Sequence, residues 1–346
     1  MRSIICLALG LALPSLVRAD GPPPEAVKKA VAKGLERLQQ SAANYPKHRQ
    51  CFSCHNQALP LLGLVSARAR GFDIKTEAIE DILAFSMKTF GPKKENLVKG
   101  QGVGGANTTV GYALATFAAA DHPPDETTAA MVRFLLARQR GDGAWTPTTN
   151  RPPSEGSLFT STALALLGLK KYGHKDIAAL ASERERIDKA FAKGLDWLRS
   201  TRAEQTEDKV FRLLGLAWSG ADSQVLADGR KVLLKEQHAA GGWAQLAKLE
   251  PDAYATGSVL IALRTGGLAA SDPAYLKGVG FLLATQKDDG AWIVETRSKP
   301  IQTFFDNGDP GGKSQFLSIT ATGWAVQALL ETLPPTHAKT DKGTGK

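Results

Sequence analysis

The stretch "CFSCHNQALP" carries the side chains with the clearest chemistry in this chain, two thiols and an imidazole in the spacing Cys-x-x-Cys-His. Covalent haem attachment needs two thiols in reach of the two vinyl groups and an adjacent imidazole for the iron. Cys51, Cys54 and His55 provide all three groups. A disulfide between the two cysteines is the alternative in an oxidising compartment. The motif therefore predicts haem c in a loop at residues 48–57, with His55 as a ligand of the iron. A disulfide clip between Cys51 and Cys54 remains the alternative.

The ligand on the other side of the haem iron does not follow from the sequence. An iron with no second protein ligand is equally compatible with the sequence, since each available side chain is more typical of a surface or core position. Methionine or histidine ligation would suit electron transfer to a redox partner, whereas an open position would suit small-molecule chemistry. The available side chains are His48, Met87, His122, Met131, His174, His238 and His337.

The first residues indicate the compartment in which such a motif would mature. Residues 1–19 have a basic start, an apolar run and a small-x-small pattern that ends at Ala19. The run is too short for a good membrane span, and no later stretch approaches ~18 uninterrupted apolar residues. We expect a signal peptide cleaved near Ala19, an exported periplasmic or extracellular protein, and no transmembrane span. Cys6 leaves with the signal, so Cys51 and Cys54 have no other cysteine to pair with.

The charge of the chain is basic but dispersed. There are 43 Lys and Arg against 34 Asp and Glu, a formal net charge of +9. Residues 1–19 contain two arginines and no acid, so the mature chain keeps +7. Basic residues are scattered among acidic ones, without a basic stripe or an aromatic RNA-reading motif, and we expect no nucleic-acid partner. Residues 334–346 lack large apolar side chains and are predicted to be disordered.

Three segments share one frame, in which a glutamine stands six residues before a tryptophan with a glycine between them. They read "FLLARQRGDGAW", "VLLKEQHAAGGW" and "FLLATQKDDGAW". Such self-similarity indicates a repeat architecture. We interpret the glutamine amide as a cap for a neighbouring helix start and the indole as its packing partner, which is a structural role. The pairs are Gln139 with Trp145, Gln237 with Trp243, and Gln286 with Trp292.

Two kinds of helical segment alternate along the chain. Amphipathic segments predict outer helices, and segments that are apolar all round predict buried inner ones. Six such pairs at a spacing of roughly 50 residues predict an all-α fold, a closed (α/α)6 barrel or toroid of six helical hairpins over residues 20–333. An open solenoid is the alternative, but it would need polar capping repeats. The inner segments begin near Asn56, Asn107, Ser157, Asp208, Asp252 and Ser318, and the last five open with an N-cap residue type.

The Gln-x3-Gly-x-Trp elements and the segment "EPDAYATG" resemble those of the terpene cyclase and protein prenyltransferase superfamily. Over residues 25–333 the chain resembles secreted bacterial proteins with squalene cyclase repeats, some of which carry an N-terminal Cys-x-x-Cys-His. This resemblance implies a central cavity whose mouth lies at the first turns of the inner helices. It also implies that the Cys-x-x-Cys-His motif lies at that mouth, and that a hydrophobic small molecule binds in the cavity.

The acidic motif of this superfamily is incomplete here. Hopene-type cyclases protonate an alkene with Asp-x-Asp-Asp-Thr, and the matching stretch keeps Asp252 and Thr256 but has Tyr254 and Ala255 in place of two acids. A phenol with a pKa near 10 cannot replace a carboxylic acid in that task. The zinc cysteine of prenyltransferases has no counterpart beside Asp252, so no zinc is expected. We interpret Asp252 chiefly as an N-cap and Tyr254 as a residue that lines the cavity.

Two long connections are expected at the same mouth. Residues 293–317 lack helical periodicity, and Phe304 and Phe305 would suit a lid across the cavity. Residues 91–107 form a second, glycine-rich loop, which follows no strand and is not interpreted as a nucleotide site.

The sequence as a whole favours an exported cyclase-like toroid with one covalent haem at the cavity mouth. Such a protein would carry out electron transfer or haem-assisted chemistry on a hydrophobic ligand. A haem-free ligand-binding or structural module is the alternative, and an active terpene cyclase or prenyltransferase ranks third.

Overall fold

The computed structural model describes residues 21–174, 178–298, 306, 308–309 and 311–336. The predicted signal peptide and residues 337–346 of the predicted disordered tail lie outside this part of the chain. Within the described part the Thr336 hydroxyl donates a hydrogen bond to the Ala69 carbonyl oxygen. The described residues contain helices and two isolated bridges but no β-strand.

Six outer and six inner helices alternate, as the repeat predicts. The outer helices are α1 (Pro24–Asn44), α3 (Thr76–Phe90), α6 (Glu126–Arg138), α8 (Arg184–Ser200), α10 (Ser223–Leu234) and α12 (Pro273–Thr285). The inner helices are α2 (Leu59–Arg68), α5 (Ala106–Ala119), α7 (Leu158–Gly168), α9 (Thr206–Ser219), α11 (Ala253–Thr265) and α13 (Gln315–Leu330). A short helix, α4 (Lys94–Val98), precedes α5. The predicted all-α toroid is confirmed.

Most inner helices are buried because they have no polar face, whereas α9 is amphipathic and carries charged residues such as Lys209 and Arg212. Every residue of α13 is buried, and most residues of α5, α7 and α11 are buried too. The ring is closed, since α13 packs against α11, α2 and α1, which joins the last hairpin to the first. Burial of these apolar surfaces provides most of the driving force for closing the ring.

Two of the five predicted N-caps are confirmed and three are wrong. Ser157 accepts hydrogen bonds from two backbone N–H groups of α7, and Asp252 accepts one from α11. Asp208 lies one turn inside α9 and instead binds the backbone N–H groups that precede the helix. The Asn107 amide, within α5, donates to the Thr146 carbonyl. Ser318 lies inside α13, which begins at Gln315 because a tight turn at Gly312–Ser314 leads directly into it.

The glutamine–tryptophan repeats link successive outer helices. Each glutamine amide nitrogen donates to a carbonyl of its own loop and to a carbonyl of the next outer helix, so it does not cap free N–H groups as predicted. Each indole N–H donates to the carbonyl ten residues earlier. At the seam between the last and first hairpins, Gln286 donates to the carbonyls of Gly290 and Ala30. The repeat is structural.

Two glycines near the seam allow the closure of the ring to be tested with a matched pair of variants. Gly290 has φ +86°, and a Cβ there would lie 2.4 Å from the Lys33 carbonyl oxygen of α1. We expect Gly290→Ala to lower the free energy of unfolding by about 2–4 kcal/mol, through left-handed backbone strain and the clash. Gly280 lies in α12, and a methyl group added there would meet no atom within 4 Å. Gly280→Ala should raise the free energy of unfolding by about 0.5–1 kcal/mol. Urea denaturation of both variants measures the difference, and similar values for the two would contradict this account.

Candidate functional site

The Cys-x-x-Cys-His motif forms the start of the first inner helix. Residues Cys54–Ala58 make a π-helical turn that runs into α2. The Ser53 hydroxyl accepts hydrogen bonds from the backbone N–H groups of His55 and Asn56, both at 3.2 Å. This capping satisfies donors that the first turn leaves without helical partners. The thiol of Cys54 and the ring of His55 are therefore held on the first turn of α2.

A buried polar network fixes this turn to the rest of the ring. The Asn56 amide donates to the Ser41 hydroxyl at 2.8 Å and to the Asp309 carboxylate at 3.1 Å. Ser41, in α1, also donates to Asp309 at 2.8 Å. The network thus joins the first outer helix, the motif and the segment before α13. Buried polar networks of this kind favour one conformation of the groups they connect.

The three motif side chains line one cavity of about 470 Å³ at the end of the barrel where the inner helices begin. The aromatic and apolar part of the wall includes Phe52, Val103 and Phe316. Three cationic side chains also line the cavity, and they are Arg49, Lys93 and Arg151. The glycine-rich loop borders this cavity through Gly104 and Gly105, as its predicted position at the mouth requires.

His55 is buried and in contact with a carboxylate. Its Nε2 lies 3.3 Å from Oε1 of Glu155 and 3.4 Å from the Ser154 hydroxyl oxygen. Burial lowers the pKa of His55, although Glu155 opposes this effect. The ring is therefore neutral at pH 7, which is the form that binds metals. The other oxygen of Glu155 is held by Arg151 at 2.5 Å and by the Thr149 hydroxyl at 2.9 Å.

The two cysteines are free thiols in different surroundings. Cys51 is exposed and its sulfur lies 3.7 Å from the Tyr45 hydroxyl, whereas Cys54 is buried. Burial raises the pKa of the Cys54 thiol well above its usual value, and the Glu155 carboxylate raises it further. Both cysteines line the same cavity, and no disulfide joins them.

These residues fit a covalently bound haem. The cavity volume lies within the range of about 300–1,000 Å³ that is usual for small-molecule and cofactor sites. Two thiols and a neutral imidazole form the donor set, and three cationic side chains place positive charge in the wall of the cavity. His55 would hold the iron, and Glu155, whose Oε1 lies 3.3 Å from the His55 Nε2, is bound to Arg151 and Thr149 through its other oxygen.

The predicted candidates for the sixth ligand do not line this cavity within the described part of the chain. The predicted lid is only partly described, because Phe304 and Phe305 lie outside the described residues.

Asp252 and Tyr254 lie apart from the motif. Asp252 caps α11 and accepts a hydrogen bond from Gln245 at 2.9 Å, and burial raises its pKa. Tyr254 is 1% exposed and donates to Glu207, so it lies in the closed interior of the barrel and lines neither the motif cavity nor its mouth. Thr256 accepts a hydrogen bond from the Trp243 backbone and is structural.

Glu207 is the residue that sequence reasoning missed. Its carboxylate is 4% exposed and accepts hydrogen bonds from Thr160 at 2.8 Å and from Tyr254 at 3.1 Å. Burial raises its pKa to about 8, against the lowering effect of these two bonds. Glu207 is therefore a neutral carboxylic acid at pH 7 inside the barrel. The available signal was an acid on the first turn of an inner helix, beside Asp208, which we interpreted as the cap.

Comparison with known proteins agrees with the fold. No family model matches the chain. It is 31% identical over 122 residues to a probable squalene–hopene cyclase of Sinorhizobium fredii, covering 35% of this chain and 18% of the relative. It is 30% identical over 142 residues to a squalene–hopene cyclase of Bradyrhizobium diazoefficiens, covering 40% of this chain and 20% of the relative. The chain thus matches about a fifth of the length of these relatives.

Solved structures define the class of fold. The type II terpene cyclase MstE from Scytonema superposes with a TM-score of 0.56 at 13% identity, over 89% of this chain and 99% of that one. A variant of MstE bound to its substrate, geranylgeranyl dihydroxybenzoate, gives a TM-score of 0.56 at 14% identity, over 90% and 98%. A protein from Actinoplanes gives 0.54 at 15% identity, over 89% and 100%. The fold is the α/α toroid of terpene cyclases.

No helix among the described residues combines the length and the apolar character that crossing a membrane requires.

Proposed function

We propose that this chain is an exported, cyclase-like toroid that carries one covalent haem c in the cavity where the inner helices begin. The observation that supports the proposal is the arrangement of the motif. Cys51, Cys54 and His55 line one cavity of about 470 Å³, together with three cationic side chains. A signal peptide would take the chain to the compartment in which c-type maturation takes place.

Each group at the cavity has a role in this proposal. The thiols of Cys51 and Cys54 would form the two thioethers, and the neutral ring of His55 would bind the iron. The positive charge of Arg49, Lys93 and Arg151 would favour the haem carboxylates, and Arg151 would keep its contact with Glu155. When bound, haem supplies one-electron transfer, or activation of a small molecule if one axial position is open.

Absorbance and mass test the proposal directly. The full chain is co-expressed with a c-type maturation system, and the purified protein is assayed by its pyridine haemochrome spectrum and by mass spectrometry. We expect a mass increase of one haem that survives acid–acetone extraction, because thioethers do not dissociate as axial bonds do. A colourless protein of unmodified mass would overturn the proposal.

Acid catalysis on a polyene is a second candidate function, favoured by Glu207. A neutral carboxylic acid inside the barrel is a proton donor that the incomplete Asp-x-Asp-Asp-Thr stretch does not provide. We expect no cyclised product from squalene, because Tyr254 and Ala255 replace two acids. Any turnover of shorter linear isoprenoids should be lost in Glu207→Gln and kept in Asp252→Asn. Gas chromatography of the products measures both, and squalene cyclisation abolished by Asp252→Asn would contradict this assignment.

A further inference from the structure

Three outer helices each have a glycine that packs against the indole of a glutamine–tryptophan repeat. A Cβ added at any of these glycines would lie within 3.4 Å of a ring carbon of the indole. Because the indole N–H donates to the preceding outer helix, the ring bridges two neighbouring outer helices. The pairs are Trp145 on Gly194 of α8, Trp243 on Gly278 of α12, and Trp292 on Gly34 of α1.

Helix α10 has the corresponding glycine, but the chain supplies no indole for it. Gly229 stands eight residues before the repeat glutamine Gln237, which is the spacing that α12 also shows. After α8 the same spacing leads to Arg202 instead of a glutamine, and residues 201–205 contain no tryptophan. The groove between α8 and α10 therefore keeps the glycine of the other grooves without their aromatic ring.

A cleft of about 460 Å³ lies in this groove, and we call it the α10 cleft. Of the residues of α10, all of which the structure describes, only Leu233 is buried, so the other apolar side chains of this helix stay at least partly accessible. Val232 is 43% exposed. The apolar lining consists of Leu213 and Leu216 of α9, Ala203, and Val225, Gly229 and Val232 of α10.

Four cationic side chains surround this apolar lining, against a single acid, Asp228. Arg212 is held by hydrogen bonds to two backbone carbonyl oxygens at the end of α8, and Lys209 is held by an ion pair. Arg199 and Arg202 are exposed, and neither side chain has a hydrogen-bond or ion-pair partner among the described residues. The cleft therefore combines an apolar floor with positive charge that has no acidic partner.

We propose that the α10 cleft binds a small aromatic carboxylate. The ring packs on Gly229 and on the leucines of α9, as the repeat tryptophans pack on their glycines, and the carboxylate faces Arg199 and Arg202. The volume lies within the range of about 300–1,000 Å³ that is usual for small-molecule sites. The cleft shares no residue with the motif cavity, so this site is independent of the proposed haem.

Indole-3-propionate tests the proposal against two matched compounds. Indole-3-propionamide has the same ring without the charge, and propionate has the charge without the ring. By isothermal titration calorimetry at low ionic strength, we expect the amide to bind about fivefold more weakly, because contacts between exposed charges contribute modestly. Propionate should show no measurable binding, and added salt should bring the two indole compounds closer in affinity. Equal affinities of the two at low salt, or no binding of indole-3-propionate, would overturn the proposal.

Three variants locate the probe. Gly229→Leu fills the cleft from α10 and should abolish binding of both indole compounds. Arg202→Glu reverses one exposed charge and should weaken indole-3-propionate binding about tenfold, while the affinity of the amide stays unchanged. Arg138→Glu makes the same change at an exposed position on α6, outside the cleft, and should change neither affinity. Unchanged indole-3-propionate affinity in Arg202→Glu would overturn the proposal even if Gly229→Leu does not fold.

The motif cavity is the competing site for an aromatic acid, since its wall is also cationic. Val103→Trp narrows that cavity and should leave indole-3-propionate binding unchanged. Loss of binding in Val103→Trp, together with unchanged binding in Arg202→Glu, would place the probe in the motif cavity and overturn the proposal. The haemochrome spectrum of each variant reports on Cys51 and Cys54, so failure of the α10 cleft and failure of haem attachment are distinguishable.

Discussion

The double variant Cys51→Ala/Cys54→Ala is expected to lose covalent haem completely when it is expressed with a c-type maturation system. The reason is chemical, since the thioethers have no other thiol to form on once Cys6 leaves with the predicted signal peptide. Each single variant keeps one thiol and should retain at most one thioether, with a shifted haemochrome band. Mass spectrometry of the intact protein counts the attached group in every case.

His55→Ala separates attachment from ligation. We expect it to reduce covalent haem or to alter its spectrum, because the ring that would bind the iron is missing while both thiols remain. His48→Ala is the matched control, since His48 is close in sequence but does not line the cavity, and its spectrum should equal that of the wild type. A disulfide between Cys51 and Cys54 in the mature, colourless protein would contradict the haem prediction and support the clip.

The architecture was predictable because periodicity reports burial directly. Segments without a polar face, such as α13, have to be buried, and inner helices that alternate with outer ones six times leave few arrangements other than a closed ring. Helix starts were less predictable, since Asp208 and Ser318 have cap-forming side chains but bind backbone groups from positions inside their helices. A residue type that caps a helix also suits a first turn or a loop contact, and the sequence does not distinguish these uses.

The site was predictable only where one short motif contained it. The spacing of Cys51, Cys54 and His55 is local, so the turn that presents them follows from the sequence. The partners of the site come from far along the chain, as Glu155 and Asp309 show by contacting His55 and Asn56. Glu207 was missed for the same reason. Its pKa depends on burial by helices distant in sequence, and no local sequence pattern indicates that burial.

Glu207 should make the stability of this protein fall as pH rises. Its carboxyl has a pKa of about 8 in the folded state and about 4.5 when unfolded. Between these values the folded state keeps a proton that the unfolded state has lost, so the free energy of unfolding decreases with pH. The decrease should total about 4–5 kcal/mol and end above about pH 8, because both states are then ionised.

Glu207→Gln isolates this contribution. Glutamine has nearly the shape of the neutral acid and does not titrate, so its amide oxygen can still accept from Thr160 or Tyr254. We expect the variant to resemble the wild type near pH 5 and to be more stable by several kcal/mol near pH 9. Urea denaturation at about pH 5, 7 and 9 measures the difference, in which the titration of all other groups cancels. Glu80→Gln, at an exposed position on α3, is the control and should show no pH-dependent difference. A Glu207→Gln difference that is constant across this range would mean that Glu207 is already ionised in the folded barrel, and the proposed acid catalysis would lose its proton donor.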